Sequence, residues 1–161
     1  MKGLDTLIGA VLVIAITIAA ITIVLVGSSP TSQRAQEIAL FNEGKANLRA
    51  ADFAIKSVIA QGNGASKSID MQVSGGTYSV DTSAESVTFT FDSSQQIVGE
   101  GVSYTEDSVL VSGGKGTIIM SVSYRNTDIV DGDSFGKGSR TVLIRNNGVV
   151  GGSVTVSVTA Q

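Results

Sequence analysis

The chain has 161 residues, of which 19 are Gly, one is Pro and none is His or Cys. The lack of His and Cys excludes an imidazole base, a thiol nucleophile, a disulfide and the usual ligand set of structural zinc. Charged residues make up 16% of the chain, against an average of about 25%. The net charge of −3 gives no attraction to nucleic acid.

The N-terminal fifth of the sequence differs from the rest in composition. Residues 6–26, TLIGAVLVIAITIAAITIVLV, carry no charge. As a helix this run would be about 31 Å long, which is enough to span a bilayer. It is too long for the apolar core of a cleaved secretory signal. The run is therefore predicted to stay on the chain, either as a membrane anchor or as a segment that packs against other helices.

A second helical segment is predicted after the apolar run, with Ser29 as N-cap and Pro30 in the first helical position. Its apolar residues recur at three- and four-residue steps, so one face should pack on a partner surface. Gly44 either weakens this helix locally or marks a close contact, and Gly62-Asn63-Gly64 is predicted to end it. The predicted apolar face comprises Ile38, Phe41, Leu48, Ala51, Ile55, Val58 and Ile59.

The remainder of the chain changes to a period of two, which indicates strands. Strands are predicted at 86–92, 117–124 and 153–159, and shorter ones near 69–73, 77–80, 102–105, 109–111 and 141–144. Turn signals, Asn147-Gly148 among them, separate most of these segments. The predicted fold class is α+β: a long N-terminal hydrophobic helix continues into an amphipathic helix, which packs on a C-terminal antiparallel β-sandwich or partly closed barrel.

One acidic segment, RNTDIVDGDSFGKG, is predicted as a long loop. It places Asp128, Asp131 and Asp133 within six residues, and oxygen ligands this close could hold calcium. The spacing does not match the EF-hand loop, and Asp and Gly are also common in plain turns. The sequence has no phosphate-binding GxxxxGK[ST] motif and no GxSxG elbow. We therefore predict neither enzymatic activity nor a cofactor.

The order Lys2-Gly3, then LDTLIGAVLVIAIT, then a long helix and a Gly- and Thr-rich β domain resembles the archaeal type IV pilins and their archaellin relatives. The resemblance implies cleavage by a class III signal peptidase, with Lys2 and Gly3 as the end of the leader and Leu4 as the new N-terminus. If a longer leader has already been trimmed, Asp5 lies at the fifth mature position, where bacterial-type pilins carry a Glu that faces a neighbour's N-terminal amine.

The resemblance and the apolar run together predict a structural subunit that polymerises through its N-terminal helix. The helix would be inserted in the cytoplasmic membrane before assembly and then buried among identical helices of an extracellular filament, most simply an adhesion pilus. The expected partners are other copies of the chain, the peptidase and the pilus assembly machinery. The predicted segments are 1–3 (leader end), 4–29 (filament core), 30–64 (amphipathic helix) and 65–161 (β-rich head). The predicted core residues are Leu7, Ile8, Gly9, Val11, Leu12, Ile14, Ala15, Ile18, Ala19, Ile21, Val24 and Leu25.

Three alternatives stay open at this point. The chain could be the archaellin of a motility filament. It could be a monomeric, membrane-anchored surface binding domain with its ligand in the segment 128–138. A secreted hydrolase is the third alternative, and it would require clustered carboxylates or a Ser-Lys pair in the folded β domain.

Overall fold

A computed structural model describes the backbone of residues 2–161 and the side chains of residues 13–19 and 31–161. The chain divides into two compact units, the first ending at Gln36 and the second spanning Glu37–Gln161. One helix, α1, covers Lys2–Gln61, and its backbone is helical on both sides of Pro30. The strands are β1 Ser66–Val73, β2 Thr77–Asp81, β3 Ser86–Asp92, β4 Ser103–Glu106, β5 Val109–Gly113, β6 Thr117–Ser123, β7 Thr127–Gly132, β8 Gly138–Val150 and β9 Ser153–Ala160.

The nine strands form two sheets. Four strands pair in the order β1-β8-β9-β7, and five pair in the order β2-β3-β6-β5-β4. All neighbours are antiparallel except β7 and β9, which are parallel. On one side of the body the sheets meet where Tyr78 of β2 bridges to Phe135, just after β7.

The later part of α1 lies along the other side of the body, between the edge strands β1 and β4. Asn47 Nδ2 donates to the Gln72 carbonyl of β1 at 2.8 Å, and Lys45 Nζ donates to Glu106 of β4 at 2.6 Å. The helix fills this gap with apolar side chains because they recur at helical spacing. The core that it shares with both sheets includes Leu48, Ala54, Ile55, Val58, Val73, Phe89, Val111, Ile118, Met120 and Ile144.

Gly44 marks a close contact between the helix and the five-stranded sheet. A Cβ at this position would overlap the ring of Phe89 and lie 2.7 Å from Met120 Cε. The helix ends where predicted: the Gly62 N–H donates to the carbonyls of Val58 and Ile59, both at 3.2 Å, and Gly62 has a φ of 92°. Glycine is needed at both positions, at Gly44 for space and at Gly62 for conformation.

The predicted fold class is wrong. We expected a long apolar N-terminal helix, continued by an amphipathic one, on an antiparallel sandwich or partly closed barrel. The structure instead packs the stretch 37–61 of α1 against a nine-stranded body of two sheets that contains a parallel pair. A hydrophobic period indicates strands but does not reveal their partners, and a parallel pair needs a long connection, which here includes the whole of β8.

Three local predictions also need correction. The segment predicted as a loop contains a strand, β7. Asn147-Gly148 does not turn the chain but lies within β8, where the register with β9 shifts between Asn146 and Gly148. Ile38, placed on the buried face, is 43% exposed, whereas Leu48, Ile55 and Val58 are fully buried.

Candidate functional site

The first candidate site is an apolar stretch of α1, Val13–Ala19, in which every side chain is exposed. Val13 is 63% exposed, Ile14 59%, and Ile16 and Ile18 60% each. Thr17 Oγ1 donates to the Val13 carbonyl at 2.8 Å, so this hydroxyl is satisfied one turn back along the helix. A contiguous apolar surface of this kind is typical of a surface that another apolar group covers.

Only part of the predicted filament core can be placed. Ile14, Ala15, Ile18 and Ala19 are exposed. The other predicted side chains lie outside the described residues: Leu7, Ile8, Gly9, Val11, Leu12, Ile21, Val24 and Leu25 of the core, Lys2, Gly3 and Leu4 of the processing site, and Asp5. Where side chains are described, no helix is long and apolar enough to cross a membrane.

A second uncharged surface runs along the later part of α1. Phe53 is 69% exposed and Ile38 43% exposed, and the intervening exposed positions at helical spacing include Ala39, Ala46 and Ala50. Charged side chains ordinarily occupy such a face. Most of the charged side chains here lie on the flanks of the helix and bind the β body. Lys67 of β1 is an exception, since its Nζ lies 4.5 Å from the centre of the Phe53 ring.

Glu37 is one of two buried carboxylates on these flanks, with 8% exposure; the other is Asp52, with 7%. Its oxygens accept hydrogen bonds from Ser93 Oγ at 2.8 Å, from the Ser94 N–H at 2.9 Å, from Ser94 Oγ at 2.8 Å and from the Gln95 N–H at 3.2 Å. Burial alone would raise the pKa of Glu37, but these bonds outweigh burial and hold the pKa below its ordinary value. The carboxylate therefore attaches the helix to the loop after β3.

Four further ionic residues attach the helix to the turn between β4 and β5. Glu106 accepts from Lys45 Nζ at 2.6 Å and from Arg49 Nη2 at 3.2 Å, and Arg49 also pairs with Asp107. The hydrogen bond from Lys45, together with the two positive charges, lowers the pKa of Glu106. These pairs are partly exposed, so we assign them a role in orientation more than in stability.

Asp52 forms another buried contact with the same turn. Its Oδ2 accepts from Lys56 Nζ at 2.7 Å and from Ser108 Oγ at 2.8 Å. Burial, and then the negative charge of Asp52, raise the pKa of Tyr124 well above its ordinary value. Asp52 and Tyr124 are buried between the helix and the sheet, whereas the Lys56 side chain is exposed. The contact is therefore assigned a structural role.

The proposed calcium ligands do not surround one point. Asp128 and Asp131 lie in β7, where the register with β9 shifts between Ile129 and Asp131. Asp133 follows the strand, and its Oδ2 accepts the Ala160 N–H at 3.1 Å. Within the described part of the chain, no group of three or more acidic residues could hold a metal ion. Asp133 instead joins the segment after β7 to the end of β9.

A cleft of about 390 Å³ opens at that end of the body. Asp133, Ser134, Phe135 and Gly136 of its lining fall inside the segment 128–138, which the sequence offered as a ligand site for a surface binding domain. Arg140 was missed. The sequence does contain a pattern that could have indicated it. Arg140, Val142 and Ile144 alternate along the strand, so Arg140 stands in line with apolar residues on one face.

Comparison with known proteins found no match: no family model, no curated protein and no solved structure resembles this chain significantly.

Proposed function

We propose that this chain is a structural subunit of an extracellular filament of the archaeal type IV pilus kind, and that it polymerises through the apolar segment that includes Val13–Ala19. The observation that carries the proposal is the exposure, at about 60%, of Val13, Ile14, Ile16 and Ile18 on one short helical stretch. Apolar area on this scale is stable in water only when a partner covers it.

Identical helices are the partner that this surface fits best. Ala15 and Ala19 form a small-xxx-small pair, which lets helix backbones approach closely. A head-to-tail array of such contacts does not close on itself and so grows into a filament. Between Ile38 and Ala50 the uncharged row of α1 adds a second helical surface that can pack without burying a charge. At its far end Lys67 Nζ lies 4.5 Å from the centre of the Phe53 ring.

The β body suits the outer sheath of such a filament. Together with residues 37–61 of α1 it has a core of its own, so it can fold whether or not the apolar segment is covered. Ser and Thr occupy much of the solvent side of the five-stranded sheet, where Thr88 pairs with Ser79 and Ser121. Exposed Ile119 and Leu110 lie among them. Membrane insertion before assembly, leader processing and the choice between adhesion pilus and archaellin remain predictions.

The test is negative-stain microscopy and sedimentation of material sheared from cells that produce the chain, with intact-mass measurement of the subunit. We expect filaments that pellet from mild detergent and a subunit that retains residues 4–26. Ile16→Lys should abolish filaments, because it would bury an unpaired charge in the contact.

The matched control is Val149→Lys, which introduces the same charge at a valine that is 68% exposed on the β body. Val149→Lys should leave the filaments intact. The proposal is wrong if the wild-type chain is a detergent-soluble monomer, if the subunit begins at Ser29 or later, or if Ile16→Lys still assembles.

A further inference from the structure

The cleft at the end of the four-stranded sheet has the dimensions of a ligand site and a mostly polar lining. Its volume of about 390 Å³ falls in the range of small-molecule pockets. It is lined by a carboxylate, a hydroxyl, an aromatic ring and a guanidinium, with small residues leaving the space between them: Asp133, Ser134, Phe135, Gly136, Arg140 and Ala160.

Arg140 is exposed, although its place in β8 belongs to the row that faces the core. It lies opposite Met71, which is 2% exposed, and two residues before Val142, which is 1% exposed. Cross-strand partners and alternate residues share a face of a sheet. The row that faces the core therefore ends in a guanidinium instead of an aliphatic side chain, and Ala160, opposite Val142, is too small to close the gap.

The backbone around Asp133 holds its carboxylate in place. Asp133 Oδ2 accepts the Ala160 N–H at 3.1 Å, and the Asp133 N–H donates to the Val158 carbonyl at 3.3 Å. In the part of the chain with described side chains, Asp133 and Arg140 line one cleft without forming an ion pair within 4 Å. Their opposite charges are thus left for a ligand.

Phe135 forms a rigid apolar wall. Its backbone exchanges two hydrogen bonds with Tyr78, at 2.8 and 3.0 Å, and its ring stacks on the Tyr78 ring at 5.2 Å and 17°. Tyr78 is fully buried. An aromatic wall that is fixed in this way needs little ordering when a ligand binds.

We propose that this cleft binds a sugar that carries a carboxylate. Arg140 would pair with the sugar carboxylate, for which a guanidinium is the best-matched side chain. Asp133 and Ser134 would accept or donate hydrogen bonds to ring hydroxyls, and the Phe135 ring would cover an apolar face of the sugar. One guanidinium beside a carboxylate favours a ligand with a single negative charge over a phosphate. This inference goes beyond filament formation and does not depend on it.

The test is titration of the full chain with methyl glycosides of galacturonate, glucuronate and N-acetylneuraminate, observed by calorimetry and by ligand-detected NMR. Methyl galactoside and methyl glucoside are the neutral counterparts. We expect saturable binding of at least one carboxylated sugar and at least about tenfold weaker binding of its neutral counterpart, since a lost charge-assisted bond has an effect of that size.

Arg140→Gln should weaken the binding about tenfold, whereas Arg145→Gln, an exposed arginine on the same strand, should leave it unchanged. The proposal is overturned if none of the three acids binds, if the neutral sugars bind equally well, or if both arginine variants lose binding alike. Thermal unfolding of each variant checks the fold. Sedimentation of the same samples reports polymerisation separately, so failure of either proposal is seen on its own.

Discussion

Two stretches of the same helix place similar side chains in opposite environments. Between Leu48 and Val58, the apolar side chains at helical spacing are fully buried against the two sheets. Between Val13 and Ile18, side chains of the same chemistry are about 60% exposed. Both stretches are helical, although five of the six residues from 13 to 18 are β-branched and therefore poorer helix formers. The difference in exposure lies in what covers the two stretches. The first is stabilised within the chain, and we propose that the second is stabilised by other chains.

The largest expected effect is the difference in stability between two matched substitutions, one in each stretch. Ile55→Ala removes a fully buried side chain and should lower the free energy of unfolding of the β body by about 2 to 5 kcal/mol. Ile16→Ala should leave that free energy within about 0.5 kcal/mol of the wild-type value but weaken assembly. Urea unfolding of detergent-dispersed protein measures the first quantity, and sedimentation measures the second. Equal losses of stability in the two variants would contradict the comparison.

A smaller effect is expected at the contact between the helix and Phe89. Gly44→Val would force a branched side chain into the Phe89 ring, and we expect a loss of about 1 to 3 kcal/mol in the free energy of unfolding. Ala46→Val, two residues further along on the exposed side, should lose no more than about 0.7 kcal/mol from helix propensity. Thermal and urea unfolding compare the two. Tolerance of valine at position 44 would show that the helix can lift from the sheet at little cost.

The smallest of the three effects depends on pH. Because the pKa of Glu37 is lower in the folded than in the unfolded chain, its stabilisation is fully present above its ordinary pKa of 4.5 and is lost as the pH falls through the folded value. Glu37→Gln should therefore lower the free energy of unfolding by about 1 to 2 kcal/mol at pH 7. Below pH 4 the difference from wild type should shrink.

The control for Glu37 is Glu106→Gln, which alters a carboxylate in an exposed ion pair. The pKa of Glu106 is also lowered, but solvent screens this pair, so its removal should produce a distinctly smaller change over the same pH range. Urea unfolding at a series of pH values measures both variants. A loss in Glu37→Gln that does not vary with pH would assign the effect to packing and not to the charge.

Sequence periodicity predicted much of the local structure. The buried face of the helix was confirmed at Leu48, Ile55 and Val58, the helix end at Gly62, and a strand at each predicted segment. Strand β7 was not predicted, because its acidic residues and Gly132 are typical of turns. Asn147-Gly148 was predicted as a turn because this pair is typical of turns. In the structure the Asn146 side chain accepts the Gly148 N–H at 2.8 Å and stabilises a bulge within β8.

The sequence by itself determined the helix and eight of the nine described strands, because periodicity depends on neighbours within a few positions. It also determined where the chain carries no charge and, through the lack of His and Cys, which kinds of catalysis are excluded. Strand order, the parallel pair β7–β9 and the attachment of the helix through Glu37 depend on residues far apart in sequence, such as Glu37 and Ser94. The cleft likewise depends on the tertiary structure. Asp133 and Arg140 line one opening only because β8 begins, and β9 ends, beside the segment after β7. That packing is decided by burial of the whole body.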